Sequence, residues 1–162
     1  VVSALDACSS ITITTWFQSD GAGRQVLVSR YGTGYPDQFN HIVDPGGDFH
    51  YNSTGAIDGA SGDLNTNAWS DDTWHLCHWT YDVSDGIAHW FIDGSEVTTA
   101  NFGTDSGNGL SVSDTDGFAL MARADNHEQL QGRLGPVRIH NVALTAQECA
   151  NDFAAERGRF GV

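Results

Sequence analysis

Short runs that alternate apolar with polar or β-branched residues recur along most of the chain, separated by clusters of Gly, Asp and Asn. This is the pattern of antiparallel strands joined by turns. Eight runs stand out: Ile11–Phe17, Gln25–Arg30, Phe39–Val43, Asp48–Asn52, Trp74–Tyr81, Ile87–Ile92, Gly117–Ala122 and Arg133–His140. Turn chemistry pairs some of them. Asp44-Pro-Gly-Gly divides the third from the fourth, with Pro fixing φ and the glycines accepting positive φ. Asp85-Gly86, between the fifth and sixth, reads as the bend of a hairpin. One segment has helical periodicity instead. Ala146, Cys149, Ala150, Phe153 and Ala154 form a single apolar stripe, and Thr145 with Glu148 makes a T-x-x-E capping box at its start. These elements predict an all-β fold, an antiparallel two-sheet sandwich with one short C-terminal helix. No linker, repeat or low-complexity tract divides it, so residues 1–162 read as one domain.

Composition narrows the partners. At 162 residues with 40% hydrophobic and 10% aromatic content, the chain has material for one core despite a net charge of −14. All seven basic residues are Arg, there is no Lys, and seventeen Asp stand against four Glu. That field repels phosphate backbones and anionic bilayers, which argues against nucleic-acid and membrane partners. No apolar run approaches the roughly eighteen residues of a spanning helix. Abundant Asp without Lys suits a saline setting, where screening weakens repulsion among carboxylates. The chain opens at Val1 with no leader pattern, so any export signal lies outside this sequence. Cys8, Cys77 and Cys149 are far apart and odd in number, which argues against a disulfide scaffold or a zinc ribbon.

Four stretches carry a resemblance. Thr73-Trp-His-Leu-Cys-His-Trp-Thr-Tyr-Asp followed by Gly86-Ile-Ala-His-Trp-Phe-Ile-Asp-Gly resembles the central hairpin of laminin-G-like jelly rolls. Ile11–Phe17 is similar to that family's F-T-I-S-A-W-F strand, and Leu134-Gly-Pro-Val-Arg-Ile-His-Asn-Val-Ala-Leu-Thr-Ala-Gln-Glu to its closing segment. Order and spacing agree from residue 11 to about 153. The resemblance implies a concanavalin-A-like sandwich, a fold that serves lectins, adhesion modules, glycanases and virion parts alike. Family members open with a further strand of which only Val1-Val2 could be the tail, so that strand is expected to be missing or supplied from outside, with something pairing against the edge it leaves. Gly135-Pro136 replaces residues that are often acidic in the family, which removes one calcium site. The tail from Phe153 to Val162 is similar to the chain ends of such modules in structural proteins of tailed viruses, implying a genuine terminus.

The pentraxin branch, whose hairpin Trp74 to Ile87 also resembles, binds calcium between two loops. Laid on that branch, Asp37, Gln38, Asp125 and Glu128 fall at ligand positions, oxygen donors of the kind Ca²⁺ takes, while Arg123 falls where an acidic ligand is usual. Ordinary turn chemistry of Asp and Asn accounts for the same residues without metal. The pentraxin cysteine equivalent to Cys77 pairs with a position occupied here by Thr14, so Cys77 is expected as a buried thiol. For sugar, Trp69 in the polar Asn67-Ala-Trp-Ser-Asp-Asp loop offers a stacking surface, with Tyr35 second and Asn126 beside the calcium positions; capping one end of the sandwich is the other reading of Trp69. Trp16, Trp74, Trp79 and Trp90 lie on strands and read as core. Glycosidases of this fold carry E-x-D-x-x-E, and none of Glu96, Glu128, Glu148 or Glu156 has that neighbourhood. No G-x-S-x-G elbow occurs, although Ser, His and Asp are common enough that residue order does not exclude a triad. His75, His78 and His89 read as structural, and Asn52-Ser-Thr is a formal glycosylation acceptor.

The expectation is therefore a non-catalytic, calcium-linked recognition module on the outside of a cell or a virion, binding a glycan or cell-surface polysaccharide through rim loops. The competing expectation is a virion structural domain that contacts other subunits.

Overall fold

The computed structural model describes residues 9–19, 25–31, 39–43, 49–51, 69, 71–82, 84–101, 117–122 and 129–162. Nine strands and one helix appear there: β1 (Ser10–Ser19), β2 (Gln25–Tyr31), β3 (Phe39–Val43), β4 (Phe49–Tyr51), β5 (Trp74–Asp82), β6 (Ile87–Ile92), β7 (Ser95–Asn101), β8 (Gly117–Leu120), β9 (Gly132–His140) and α1 (Ala146–Phe160). They form a five-stranded sheet, β7-β6-β5-β1-β9, and a four-stranded sheet, β4-β3-β2-β8, with every named pairing antiparallel. The core lies between the sheets, where Ile11, Ile13 and Phe17 of β1 and Trp79 and Tyr81 of β5 meet Leu27 and Val28 of β2.

Strand alternation sends the other β1 side chains to the opposite face, and α1 covers them. Trp16 is fully buried there, its indole stacked on Phe160 at 4.0 Å between ring centroids and 15° between planes, with Phe153 at 6.0 Å. The Trp16 indole N–H donates to Glu156 at 2.6 Å, and Arg138 of β9 donates to the other oxygen of that carboxylate. Thr12 ties down the approach to the helix, donating to the Val142 carbonyl at 2.7 Å and accepting from the Leu144 N–H at 2.9 Å. Burying a large apolar side chain contributes about 2 kcal/mol or more, against at most about 1 kcal/mol for a partly exposed ion pair. Aromatic packing on Trp16, rather than the Arg138–Glu156 pair, therefore holds the helix.

Register accommodates the indole. Thr15 pairs with Val137 and Phe17 with Leu134, so Trp16 alone faces Gly135-Pro136, a bulge in β9. A Cβ on Gly135 would lie 2.7 Å from Trp16 Cβ and 3.3 Å from the Phe160 ring. The glycine that departs from the family pattern is thus required by the close approach of Trp16. The helix termini follow their sequence signals: Thr145 and Glu148 complete the capping box and Gly161, at φ 78°, ends the helix.

β7 was not among the eight expected strands. Its sequence, SEVTTAN, has little apolar content, but Asp93 (φ 51°) and Gly94 (φ 78°) join it to β6 in a two-residue primed turn, the same Asp-Gly signal as Asp85-Gly86. Gly94 also lets the helix approach, since a Cβ there would come 3.0 Å from Ala150 Cα. β8 stops at Leu120, two residues short of the expected end, because Met121 turns to φ 63°. Trp79 and Trp90 lie between the sheets, whereas Trp16 and Trp74 lie on the helix side, Trp74 only partly buried beside Phe160. The expected missing first strand, Val1-Val2 and Cys8 lie outside the described residues.

Gly135→Ala should cost roughly 1–3 kcal/mol in denaturant unfolding by forcing Trp16 off Phe160. Gly158→Ala, with open space around its Cβ, should raise stability by up to about 1 kcal/mol. Equal effects of the two changes would contradict the proposed packing.

Candidate functional site

At one rim of the sandwich Trp69 and the segment 71–75 meet the β6–β7 turn. Asp72 adopts φ 61°, donates its N–H to Ser19 O at 3.0 Å and accepts from Gln18 Nε2 at 2.6 Å, which fastens the segment to the end of β1. His75, the second residue of β5, is buried, with 7% of its surface exposed. Its Nδ1 lies 2.8 Å from Asp93 Oδ2, and its Nε2 lies 2.9 Å from Thr73 Oγ1 and 3.2 Å from Asp71 Oδ1. Asp93 Oδ1 also accepts the Leu76 N–H at 3.0 Å, so one carboxylate locks ring and backbone together. Trp69 completes the group, partly buried against the core and meeting the His75 ring edge-on at 5.2 Å and 80°.

Thr73, His75 and Asp93 have the connectivity of a nucleophile, a base and its orienting acid. Asp71 changes the chemistry. The Thr73 hydroxyl donates to Asp71 Oδ1 at 2.7 Å, as does the Thr73 N–H at 2.9 Å, so the hydroxyl proton is directed away from the imidazole. Burial pushes the His75 pKa down, but the bonds and charges of Asp93 and then Asp71 outweigh it and hold the pKa above the ordinary imidazole value. The Asp71 carboxyl is held below its usual range: burial opposes this, but the two Thr73 bonds and His75 prevail. With that proton on Asp71, the Thr73 hydroxyl is not set up to donate to the imidazole. The arrangement is a hydrogen-bonded clamp on His75, against which Trp69 packs.

Of the residues expected at the site, Trp69 is thus placed at this rim. Tyr35, Asp37, Gln38, Asp125, Asn126 and Glu128 lie outside the described residues, as does Asn52. Among the described residues no group of three His, Cys, Asp or Glu side chains is arranged to hold a metal ion, and no helix is long and apolar enough to cross a membrane. Asp71, Thr73 and Asp93 were not foreseen as partners of His75. Asp71-x-Thr73 and Asp93-Gly94 carry the turn signals that place them, but their convergence depends on the pairing of β5 with β6. Cys77 is a buried thiol as expected, its pKa pushed well up by burial and by the charge of Asp93.

The laminin-G-like sequence profile of the concanavalin A-like lectin/glucanases superfamily matches residues 2–150. The chain belongs to that superfamily. No curated protein matches it in sequence. Solved structures share its fold: the leech intramolecular trans-sialidase (15% identity, TM-score 0.73, covering 90% of this chain and 23% of that one) is one. A second is domain 4 of an extracellular arabinanase from Geobacillus stearothermophilus, in complex with arabinotriose (14%, 0.70, 93% and 68%). A third is the CBM40 domain of the Ruminococcus gnavus IT-sialidase bound to α2,3-sialyllactose (13%, 0.70, 93% and 86%). The chain spans about a quarter of the sialidases it matches first, 23% and 24% of their lengths. In this superfamily member the jelly-roll sheets, with strands in the order given above, are the scaffold on which the rim clamp is mounted.

Because the folded-state pKa of His75 is raised, its contribution to stability is full below the unfolded value of about 6.5 and is lost as pH rises through the folded value. Unfolding free energies measured across this range should fall with pH in the wild type and fall less in Asp93→Asn, which keeps the backbone contact but not the charge. Identical slopes would show that the clamp does not carry a charged imidazole.

Proposed function

We propose that the chain is a non-catalytic carbohydrate-recognition module exposed outside the cell, binding glycan at the rim that carries Trp69. The observation that carries this reading is the fixed position of that indole: partly exposed, braced by His75, and set at the end of a segment fastened to β1 and β6. A pyranose stacking on such a ring meets a surface whose ordering cost is already met by the fold. Superfamily membership supports the reading, as do the sugars held by two relatives of the same fold, α2,3-sialyllactose and arabinotriose. Calcium dependence is part of the proposal and rests on Asp37, Gln38, Asp125 and Glu128. Their side-chain oxygens are the donors Ca²⁺ takes, with Tyr35 and Asn126 beside them in the sequence.

A glycan array that includes α2,3-sialyllactose and arabinotriose, run in calcium and again in chelator, tests the function. Binding of one glycan class, lost in chelator, is the expected outcome. Trp69→Ala should weaken that binding on the order of tenfold, while Trp69→Phe, which preserves a ring against His75, should retain most of it. Failure across the array together with self-association in size-exclusion chromatography would replace this reading with a structural role among virion or surface subunits.

A further inference from the structure

A cleft of about 270 Å³ opens on the helix side of the five-stranded sheet, between the β5–β6 hairpin and the segment that leads into α1. Its floor includes Phe91, which is 3% exposed, and Leu144, while its walls carry Asp82, Asp85, Glu96 and His89. His89 lies nearly parallel to the Phe91 ring, 19° between planes at 6.2 Å, and its Nδ1 is 2.6 Å from Glu96 Oε1. The cleft is thus a small apolar basin with a flat, partly exposed imidazole on one side and three carboxylates around it.

The carboxylates do not gather into a chelating set. No three His, Cys, Asp or Glu side chains among the described residues can hold a metal, so the negative charge is spread over a space larger than an ion. Nor is the cleft an anion site at the helix N-terminus. Thr145 N–H and hydroxyl both donate to Glu148, and Thr145 Oγ1 accepts the Glu148 N–H, so the end of α1 is already capped and carries its own acid. Asp82 accepts the Ser84 N–H at 2.8 Å and Asp85 the Ile87 N–H at 2.9 Å, each through Oδ1. A carboxylate has about four lone-pair positions, so both retain capacity for a ligand. No Lys or Arg lines the cleft among the described residues.

Spread negative charge above an apolar floor fits an organic ammonium on a compact body with an apolar face. The volume, just below the roughly 300–1,000 Å³ of drug-sized pockets, suits one sugar ring. We propose that this cleft is a second binding site, taking a hexosamine residue with a free ammonium: the ring lies against His89 and the Phe91 floor, and its cationic nitrogen is held by Glu96 and Asp85. The assignment of a sugar, rather than another amine, rests on the carbohydrate-recognition reading above. A net charge of −14 adds a long-range attraction for such cations that salt screens.

The test is an NMR titration of the intact chain with a glucosamine trimer, its N-acetylated counterpart and N-acetyl-lysine amide. The expected result is perturbation of the His89, Asp85 and Glu96 amides by the glucosamine trimer, with the acetylated trimer at least tenfold weaker and the binding reduced in high salt. Glu96→Gln and Asp85→Asn, which keep the side-chain shape and the turn bond, should each weaken it roughly fivefold. Trp69→Ala should leave it unchanged, so this site can fail while the rim reading survives, and the reverse. Equal binding of the acetylated trimer, or no shift in the cleft, would overturn the proposal. Lysine amide bound as tightly as the trimer would overturn the sugar assignment.

Discussion

Trp16 lies where the three layers of the molecule are coupled. β1 is the fourth of five strands, and seven consecutive residues from Ile11 to Phe17 are buried, which requires cover on both of its faces. The four-stranded sheet covers one face and α1 the other. The bulge at Gly135-Pro136, the positive φ of Gly94 beneath Ala150, and the Thr12 bonds to the segment before the helix all bring α1 down onto the indole. The superfamily profile ends at residue 150, inside α1, while the contacts of Phe153, Glu156 and Phe160 with Trp16 lie beyond that point.

Closure of both faces of this sheet directs recognition to its rims and to the gaps beside the helix. The two buried histidines of β5 show how position sets chemistry. His75 at the rim has a carboxylate within 3.2 Å of each ring nitrogen, and its pKa is raised. His78, three residues on and under α1, has the Asp152 carboxylate at 3.4 Å; burial, with Arg138 adding to it, lowers its pKa despite Asp152 and Glu156. The first is a hydrogen-bonded clamp that braces Trp69. The second is a packing group at the helix interface.

The strands with alternating apolar positions, the capped helix and the superfamily were legible in the sequence because each depends on local periodicity and turn chemistry. β7 was not, since an edge strand of Ser, Glu, Thr and Asn shows almost no apolar alternation, although the Asp93-Gly94 turn announced it. Trp69 stood out as an aromatic in a polar loop. Its bracing by His75, Asp71 and Asp93 did not, because Asp93 reaches His75 only through strand pairing across eighteen positions, and Asp71 only through the backbone turn at Asp72. Trp16 read as core without any indication that its burial comes from the helix rather than the second sheet. Pairing across layers has no local signature.

The account stands on α1 as a required third layer. The direct measurement is the thermal unfolding and amide NMR spectrum of a chain ending at Leu144. Loss of cooperative unfolding and collapse of the β1 and β5 amide dispersion is the predicted result, because Trp16 and His78 would then lose their cover. A sharp melt with the sheet resonances unchanged would contradict it.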